Sequence, residues 1–182
     1  LLVYRLAFAG GGYIEHKYCL AKDSYLIDSE VSFNGGILPR NVHSFDMDWN
    51  VIVPRMEKGY KNEKMYSKIT FIYPETSKPE IVGRGRDQEK RVESQVSWFS
   101  FSQQFFSAIF RAKNNFSSTN LSIKFFEEND ENHNLMKCSA YMRNEFEPSA
   151  DGTVIVPFEL YLGPNHFKTL KSYGRQMERI IP

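Results

Sequence analysis

Apolar and polar residues alternate with a period of two along most of this chain, the pattern of strands that bury one face and wet the other. Tyr4, Leu6 and Phe8 open it, and after Gly10-Gly11-Gly12 the residues Ile14, His16, Tyr18 and Leu20 line one face of a second run. Two alternating runs about a glycine-rich turn predict a hairpin. Tyr25, Ile27, Val31 and Phe33 then fall on one face, with Asp28, Glu30 and Ser32 on the other. His43, Phe45, Met47, Trp49, Val51 and Val53 alternate against Ser44, Asp46, Asp48 and Asn50, stopping at Pro54. Further strands are predicted over 65–73, 96–101, 104–111, 121–126, 135–143 and 153–162.

Between these runs the pattern predicts turns or loops at 34–36, 57–63, 74–92 and 127–134. Segment 74–92 is the longest and most charged, with Arg84, Arg86, Lys90 and Arg91 set against Asp87 and Glu89, and it reads as a solvated loop or strand rim. Only the end of the chain changes period. After Gly163-Pro164, the residues Phe167, Leu170 and Tyr173 fall on one helical face, where Pro164 suits a first turn and Gly174 a stop. A second short amphipathic piece carries Met177, Ile180 and Ile181. Many strands at short intervals with little helical periodicity predict a mainly β, two-sheet sandwich over 1–163, followed by a helical segment over 164–182.

Composition sharpens this picture more than it changes it. The 182 residues suffice for one domain with a real core, and the 15% aromatic content suits pleated, half-buried surfaces. With 23 basic and 22 acidic residues the net charge is +1, which gives no reason to expect a nucleic-acid partner. No apolar run reaches membrane-spanning length and no charged-then-apolar leader opens the chain, so a soluble domain is expected, and a start on Leu1 suits an excised fragment. The two cysteines, Cys19 and Cys138, allow one disulfide, although two free thiols are the plainer reading.

Candidate chemistry is sparse. Of the four histidines, His16 and His43 stand on apolar strand faces, where a hydrogen-bonded core histidine is commoner than a ligand. His133 falls in a polar loop, and His166 falls in the first turn of the terminal helix, against the helix dipole. No HExxH, CxxC or GxSxG is present, and Gly83-Arg84-Gly85 is too short for a phosphate loop. Asp46 and Asp48 share the polar face of one strand, where a solvated face accounts for them better than calcium. No catalytic residue, metal site or cofactor is assigned, and the expectation is a protein that is not an enzyme. Gln103, Gln104, Phe105 and Phe106 are less ordinary, two amides before an aromatic pair in what reads as a central strand. They are candidates for a groove that takes extended peptide, against the favoured alternative of a buried strand whose amides satisfy nearby backbone.

These residues also carry a resemblance. Trp98 followed by Gln103-Gln104-Phe105-Phe106 and Ala108, then Glu159-Leu160-Tyr161-Leu162-Gly163-Pro164 with a helix behind it, is similar to the large periplasmic domain of the YidC-type membrane protein insertases of Gram-negative bacteria. Pro39-Arg40-Asn41-Val42 to Asp48-Trp49, Glu57-Lys58-Gly59-Tyr60-Lys61-Asn62-Glu63 and Gly163-Pro164-Asn165-His166-Phe167-Lys168-Thr169-Leu170 resemble its Bacteroidetes branch. The resemblance runs over essentially the whole chain.

It implies a β-supersandwich of the galactose-mutarotase-like kind with short C-terminal helices, lacking its early strands here. It places the domain at the periplasmic face of the inner membrane, with segment 164–182 leading towards a transmembrane helix that Ile180-Ile181-Pro182 would enter. It implies an interaction module and spacer in a protein that inserts and folds inner-membrane proteins, with Sec translocon components (SecD/SecF-like) and nascent membrane proteins as partners. The mutarotase kinship brings no catalytic pair, since His166 and Glu159 straddle the strand-to-helix corner. Phe167, Leu170 and Tyr173 become the expected helix-docking face, and Gly163 and Pro164 the strand-to-helix junction. A peptide-binding, chaperone-like module is the alternative, and a carbohydrate-binding sandwich a more distant one.

Overall fold

The computed structural model describes residues 1–181, so Pro182, the last residue of the expected terminal segment, lies outside the described residues. The alternation becomes two antiparallel sheets. The larger has eight strands in the order β1 (Leu2–Ala7), β2 (Tyr13–Leu20), β3 (Leu26–Asn34), β12 (Val154–Pro164), β9 (Phe106–Phe116), β8 (Val96–Ser102), β5 (Lys68–Ile72) and β6 (Glu80–Val82). The smaller has four, β4 (Ser44–Pro54), β11 (Asn134–Glu145), β10 (Ser118–Phe125) and β7 (Gln88–Val92). Helix α1 (Tyr60–Tyr66) links β4 to β5, and helix α2 (Phe167–Ser172) with a 3-10 turn at Met177–Ile180 follows β12. Among the described residues no helix is long and apolar enough to cross a membrane. The expected mainly β, two-sheet class with short C-terminal helices is the observed one.

The facing sides of the sheets hold an aromatic core. Phe33, Phe99, Phe110, Phe116 and Phe158 of the large sheet meet Met136, Cys138, Ala140 and Met142 of the small one. Trp49 of β4 stacks on Phe101 with ring centroids 4.7 Å apart, and Phe110 stacks on Phe158 at 5.3 Å. Burial pushes the Cys138 thiol up to about 12, while Cys19 is exposed, and the two are free thiols.

A second core lies on the outer face of the large sheet. There Ile72, Trp98, Ile109 and Tyr161 are covered by Leu170, Met177 and Ile180 of the terminal segment. The centre of the large sheet is therefore buried on both sides. That accounts for the adjacent apolar pairs Phe71-Ile72, Trp98-Phe99 and Ile109-Phe110, which break strict alternation. At the other edge four strands cannot cover eight: in β1, Leu2, Tyr4 and Leu6 remain 51%, 61% and 61% exposed.

Several boundaries differ from expectation for physical reasons. Residues 60–66, the later part of the expected loop 57–63 and the start of the expected strand 65–73, are helix α1, whose sequence YKNEKMY carries almost no apolar periodicity. Polar contacts hold it instead: the Glu63 carboxylate accepts the backbone N–H groups of Met56 (3.0 Å) and Glu57 (3.2 Å), and the Tyr60 hydroxyl donates to the Phe126 carbonyl. The charged stretch 74–92 contains β6 and β7, the edge strands of the two sheets, where charge on the wet face discourages further pairing. The chain passes between the sheets at Gly83, with φ +66° and no room for a Cβ, which would sit 2.0 Å from Ile123 Cγ2. Strand β9 starts at Phe106, so Gln103 and Gln104 occupy the β8–β9 turn and not a central strand. His43 precedes β4 and is exposed, not a core residue.

Candidate functional site

The side chains with unusual environments gather where the terminal segment meets the large sheet. Glu159 lies on the outer face of β12 and is 1% exposed. Burying a carboxylate is costly unless charge and hydrogen bonds meet it. Both are supplied. Arg111 of β9, opposite Glu159 in the strand register, places Nη1 2.8 Å from Oε2. Arg175, from the link between α2 and the 3-10 turn, places Nε 2.6 Å from Oε2 and Nη2 2.7 Å from Oε1. The two bonds from one guanidinium form the planar, two-point match that arginine makes with carboxylates.

Arg175 is fixed from its backbone as well. The Trp98 indole Nε1 donates to the Arg175 carbonyl at 2.8 Å. Arg175 and Gln176 both adopt left-handed backbone, φ 63° and 59°, a conformation that costs non-glycine residues about 1 kcal/mol or more each. The contacts of Arg175 hold that bend in place. Further along, the Lys68 ammonium donates to the Ile180 carbonyl at 2.9 Å. On the opposite side, the Tyr173 hydroxyl accepts the Tyr25 backbone N–H at 2.9 Å and lies 3.3 Å from Ser24 Oγ. Beneath these contacts, full burial of Leu170, Met177 and Ile180 contributes about 5 kcal/mol or more before ordering costs.

The expected docking residues divide. Leu170 is fully buried and Tyr173 packs against the same core, edge-on to Tyr161 with centroids 5.8 Å apart. Phe167 stands away from the sheet, 49% exposed, with the Lys171 ammonium over its ring. Gly163 and Pro164 are the last residues of β12, ahead of the helix, whose N-cap is His166. What Gly163 provides is space: a Cβ there would come 2.8 Å from the Tyr161 hydroxyl and 2.9 Å from the Tyr25 ring. That hydroxyl donates to the Pro164 carbonyl at 2.6 Å, and burial pushes its pKa up to about 12.

The β8–β9 turn is tied to the same corner. Asn165 donates from Nδ2 to the Gln103 (2.8 Å) and Gln104 (3.1 Å) carbonyls, and its N–H reaches the Phe105 carbonyl at 2.7 Å. Gln103 donates to Glu63 Oε1 at 3.1 Å and to the Pro54 carbonyl at 3.2 Å, so this amide satisfies a buried carboxylate and a strand end. Phe105 and Phe106 are 53% and 57% exposed, and Phe106 borders a cleft between the sheets with Val51, Val53, Met136 and Leu162.

The histidines do not meet. His16 is part-buried, with Nε2 3.0 Å from Ser29 Oγ and Nδ1 3.1 Å from the Tyr18 hydroxyl, and burial lowers its pKa. His43, His133 and His166 are exposed. Asp46 takes two hydrogen bonds from Arg143 across the strand pair, which hold its carboxyl below the usual range. Among the described residues no group of three or more His, Cys, Asp or Glu side chains is placed to hold a metal ion. The sequence pattern does not single out Arg111, Arg175 or Lys68. Their one sequence signal is indirect: Glu159 is the lone charge among Ile155, Pro157 and Tyr161 on one face of strand 153–162.

Fold and site together define a two-sheet β-sandwich domain whose terminal segment is clamped to one outer face by a small apolar core and a buried carboxylate. The chain belongs to the YidC periplasmic domain family, whose model matches residues 2–182. It is 30% identical over 176 residues to the membrane protein insertase YidC of Bacteroides fragilis, covering 96% of this chain and 28% of that protein. The corresponding protein of Phocaeicola vulgatus is 30% identical over 169 residues, covering 91% of this chain and 26% of its own length. That of Azobacteroides pseudotrichonymphae is 27% identical over 192 residues, covering 99% and 30%. The chain thus spans less than a third of these curated relatives.

Proposed function

We propose that the chain serves as the periplasmic domain of an inner-membrane protein insertase, a non-catalytic module that holds its terminal segment at a fixed angle to the sandwich. The observation that supports this is the clamp. Glu159, Arg111 and Arg175 join two strands of the sheet to the terminal segment, over a core to which Leu170, Met177 and Ile180 contribute. A segment attached only as a tether would need neither a buried ion cluster nor two left-handed residues. In this reading α2 and the 3-10 turn transmit position between the sandwich and the bilayer, Leu170 and Tyr173 are the docking side chains, and Gly163-Pro164 ends the last strand. Contacts with Sec components and with nascent membrane proteins belong to the same reading, with the sandwich surface as spacer and interaction module.

Complementation tests it. A YidC-type insertase carrying this chain as its periplasmic domain is expressed in insertase-depleted cells with Leu170→Asp and Arg175→Ala, and its membrane level is measured. Loss of rescue at normal protein level is expected. Full rescue at that level would reduce the segment to a tether.

A second reading, a chaperone-like module for extended peptides, draws on the exposure of Phe105 and Phe106 beside the inter-sheet cleft. Binding of apolar unfolded peptides that is lost in Phe106→Ser would favour it, and no binding would dismiss it.

A further inference from the structure

Lys68, the first residue of β5, is the point of departure. It is 7% exposed, and its ammonium, which has three donors, finds one described acceptor, the Ile180 carbonyl. A buried ammonium needs charge compensation, because desolvation penalises it far more than one neutral hydrogen bond restores. Among the described residues no Asp or Glu lines the pocket around it. The other charged residue among the described lining is a second cation, Arg84, from the turn between β6 and β7. Burial and the Arg84 charge both depress the Lys68 pKa, the effect expected of two like charges sharing a site.

The remaining described walls carry no charge. Ser102, Gln103, Gln104 and Asn165 line a cavity of about 90 Å³ that Ile180 and Ile181 close on one side. The Gln103 and Asn165 amide donors are already bonded within the protein, so the cations are the main donors for a ligand. Glu63, the carboxylate nearest in sequence, is engaged by the Met56 and Glu57 N–H groups and the Gln103 amide. The pocket opens beside the β8–β9 turn, which lines it with Gln103 and Gln104.

We propose that Lys68 and Arg84 form a phosphate-binding site between the β8–β9 turn and the terminal segment, taking either a phospholipid headgroup or a free phosphate. The ammonium and guanidinium supply charge-assisted donors to the oxyanion, whether the phosphate is free or the headgroup of a lipid. The site is independent of the insertion reading, since it is measured by binding alone.

The test is binding of the chain to phosphatidylglycerol vesicles by co-sedimentation, and to inorganic phosphate by calorimetry. A short neutral extension after Pro182 keeps a chain-end carboxylate from competing. Arg84→Gln, on an exposed side chain, and Lys68→Met are each expected to weaken binding about five-fold or more. Lys168→Gln, on the exposed side of α2, is expected to leave it within about two-fold. Vesicle binding that inorganic phosphate reverses assigns the site to a lipid headgroup. Phosphate binding without vesicle binding assigns it to the free ion, and both results uphold the site. Absence of both kinds of binding overturns it. So does binding that Arg84→Gln leaves unchanged, or that Lys168→Gln weakens equally, which would mean diffuse surface attraction.

Discussion

The inter-sheet core and the outer-face clamp bury side chains in the same molecule by different means. Between the sheets the contacts are aromatic and aliphatic, with Phe99, Phe110, Phe116 and Phe158 packed ring against ring. On the outer face a smaller apolar cluster is bordered by a buried carboxylate, two arginines, an indole N–H and a lysine that grips a backbone carbonyl. The first region gains from non-directional burial, which tolerates small displacements of each residue. The second depends on partners at fixed distances, so removal of one leaves others buried and unpaired. A core of the first kind sets the fold, and a contact of the second kind sets an orientation.

Substitutions that strike one region and spare the other separate the two. Phe99→Ala should cost about 3–5 kcal/mol and lower the global unfolding midpoint, because it empties the centre of the inter-sheet core. Denaturant unfolding followed by tryptophan fluorescence measures it. Glu159→Ala should cost about 2–3 kcal/mol, less than a fully enclosed pair, because Arg111 and Arg175 can still reach water. Its distinguishing mark is proteolytic cleavage within 165–181 ahead of global unfolding. Leu170→Ala should cost about 2 kcal/mol with the same local signature, since the small cluster can partly collapse around the gap. Tyr173→Phe removes the contacts to Ser24 and Tyr25 and should cost about 1 kcal/mol, read as a modest fall in thermal midpoint.

At neutral pH the smallest effect belongs to Cys138. Its folded pKa is raised by burial from 9.0 to about 12, so the native state holds the thiol proton more tightly than the unfolded chain. The contribution is fully present below about pH 9 and is lost as pH rises towards about 12. A thiol reagent at pH 8 should therefore label Cys19 in the folded protein and reach Cys138 only after unfolding.

The same contrast explains what the sequence discloses. The inter-sheet core follows from alternation, as in β4, where Phe45, Met47, Trp49, Val51 and Val53 face inward and Asp46, Asp48 and Asn50 face out. Leu170 and Gly174 are legible for similar reasons, one as an apolar helix position and the other as a stop with φ +70°. Helix α1 is not, because its stability comes from Glu63 and Tyr60 reaching distant backbone and not from a repeating apolar face. The clamp is hidden for the same cause. Arg111 and Arg175 are 64 residues apart, and no local pattern marks two arginines that converge on one carboxylate. Phe167 has the helical spacing of a docking residue, yet it begins α2 on the side away from the sheet.

Amide hydrogen exchange on Glu159→Gln tests most directly whether the terminal segment is held by this carboxylate. The substitution keeps the side chain's shape and removes its charge. The clamp predicts faster exchange at Leu170, Gly174, Arg179 and Ile181, whose N–H groups bond within the segment, with β8, β9 and β11 protected as before. Unchanged exchange across 165–181, or a uniform rise through both sheets, would contradict it.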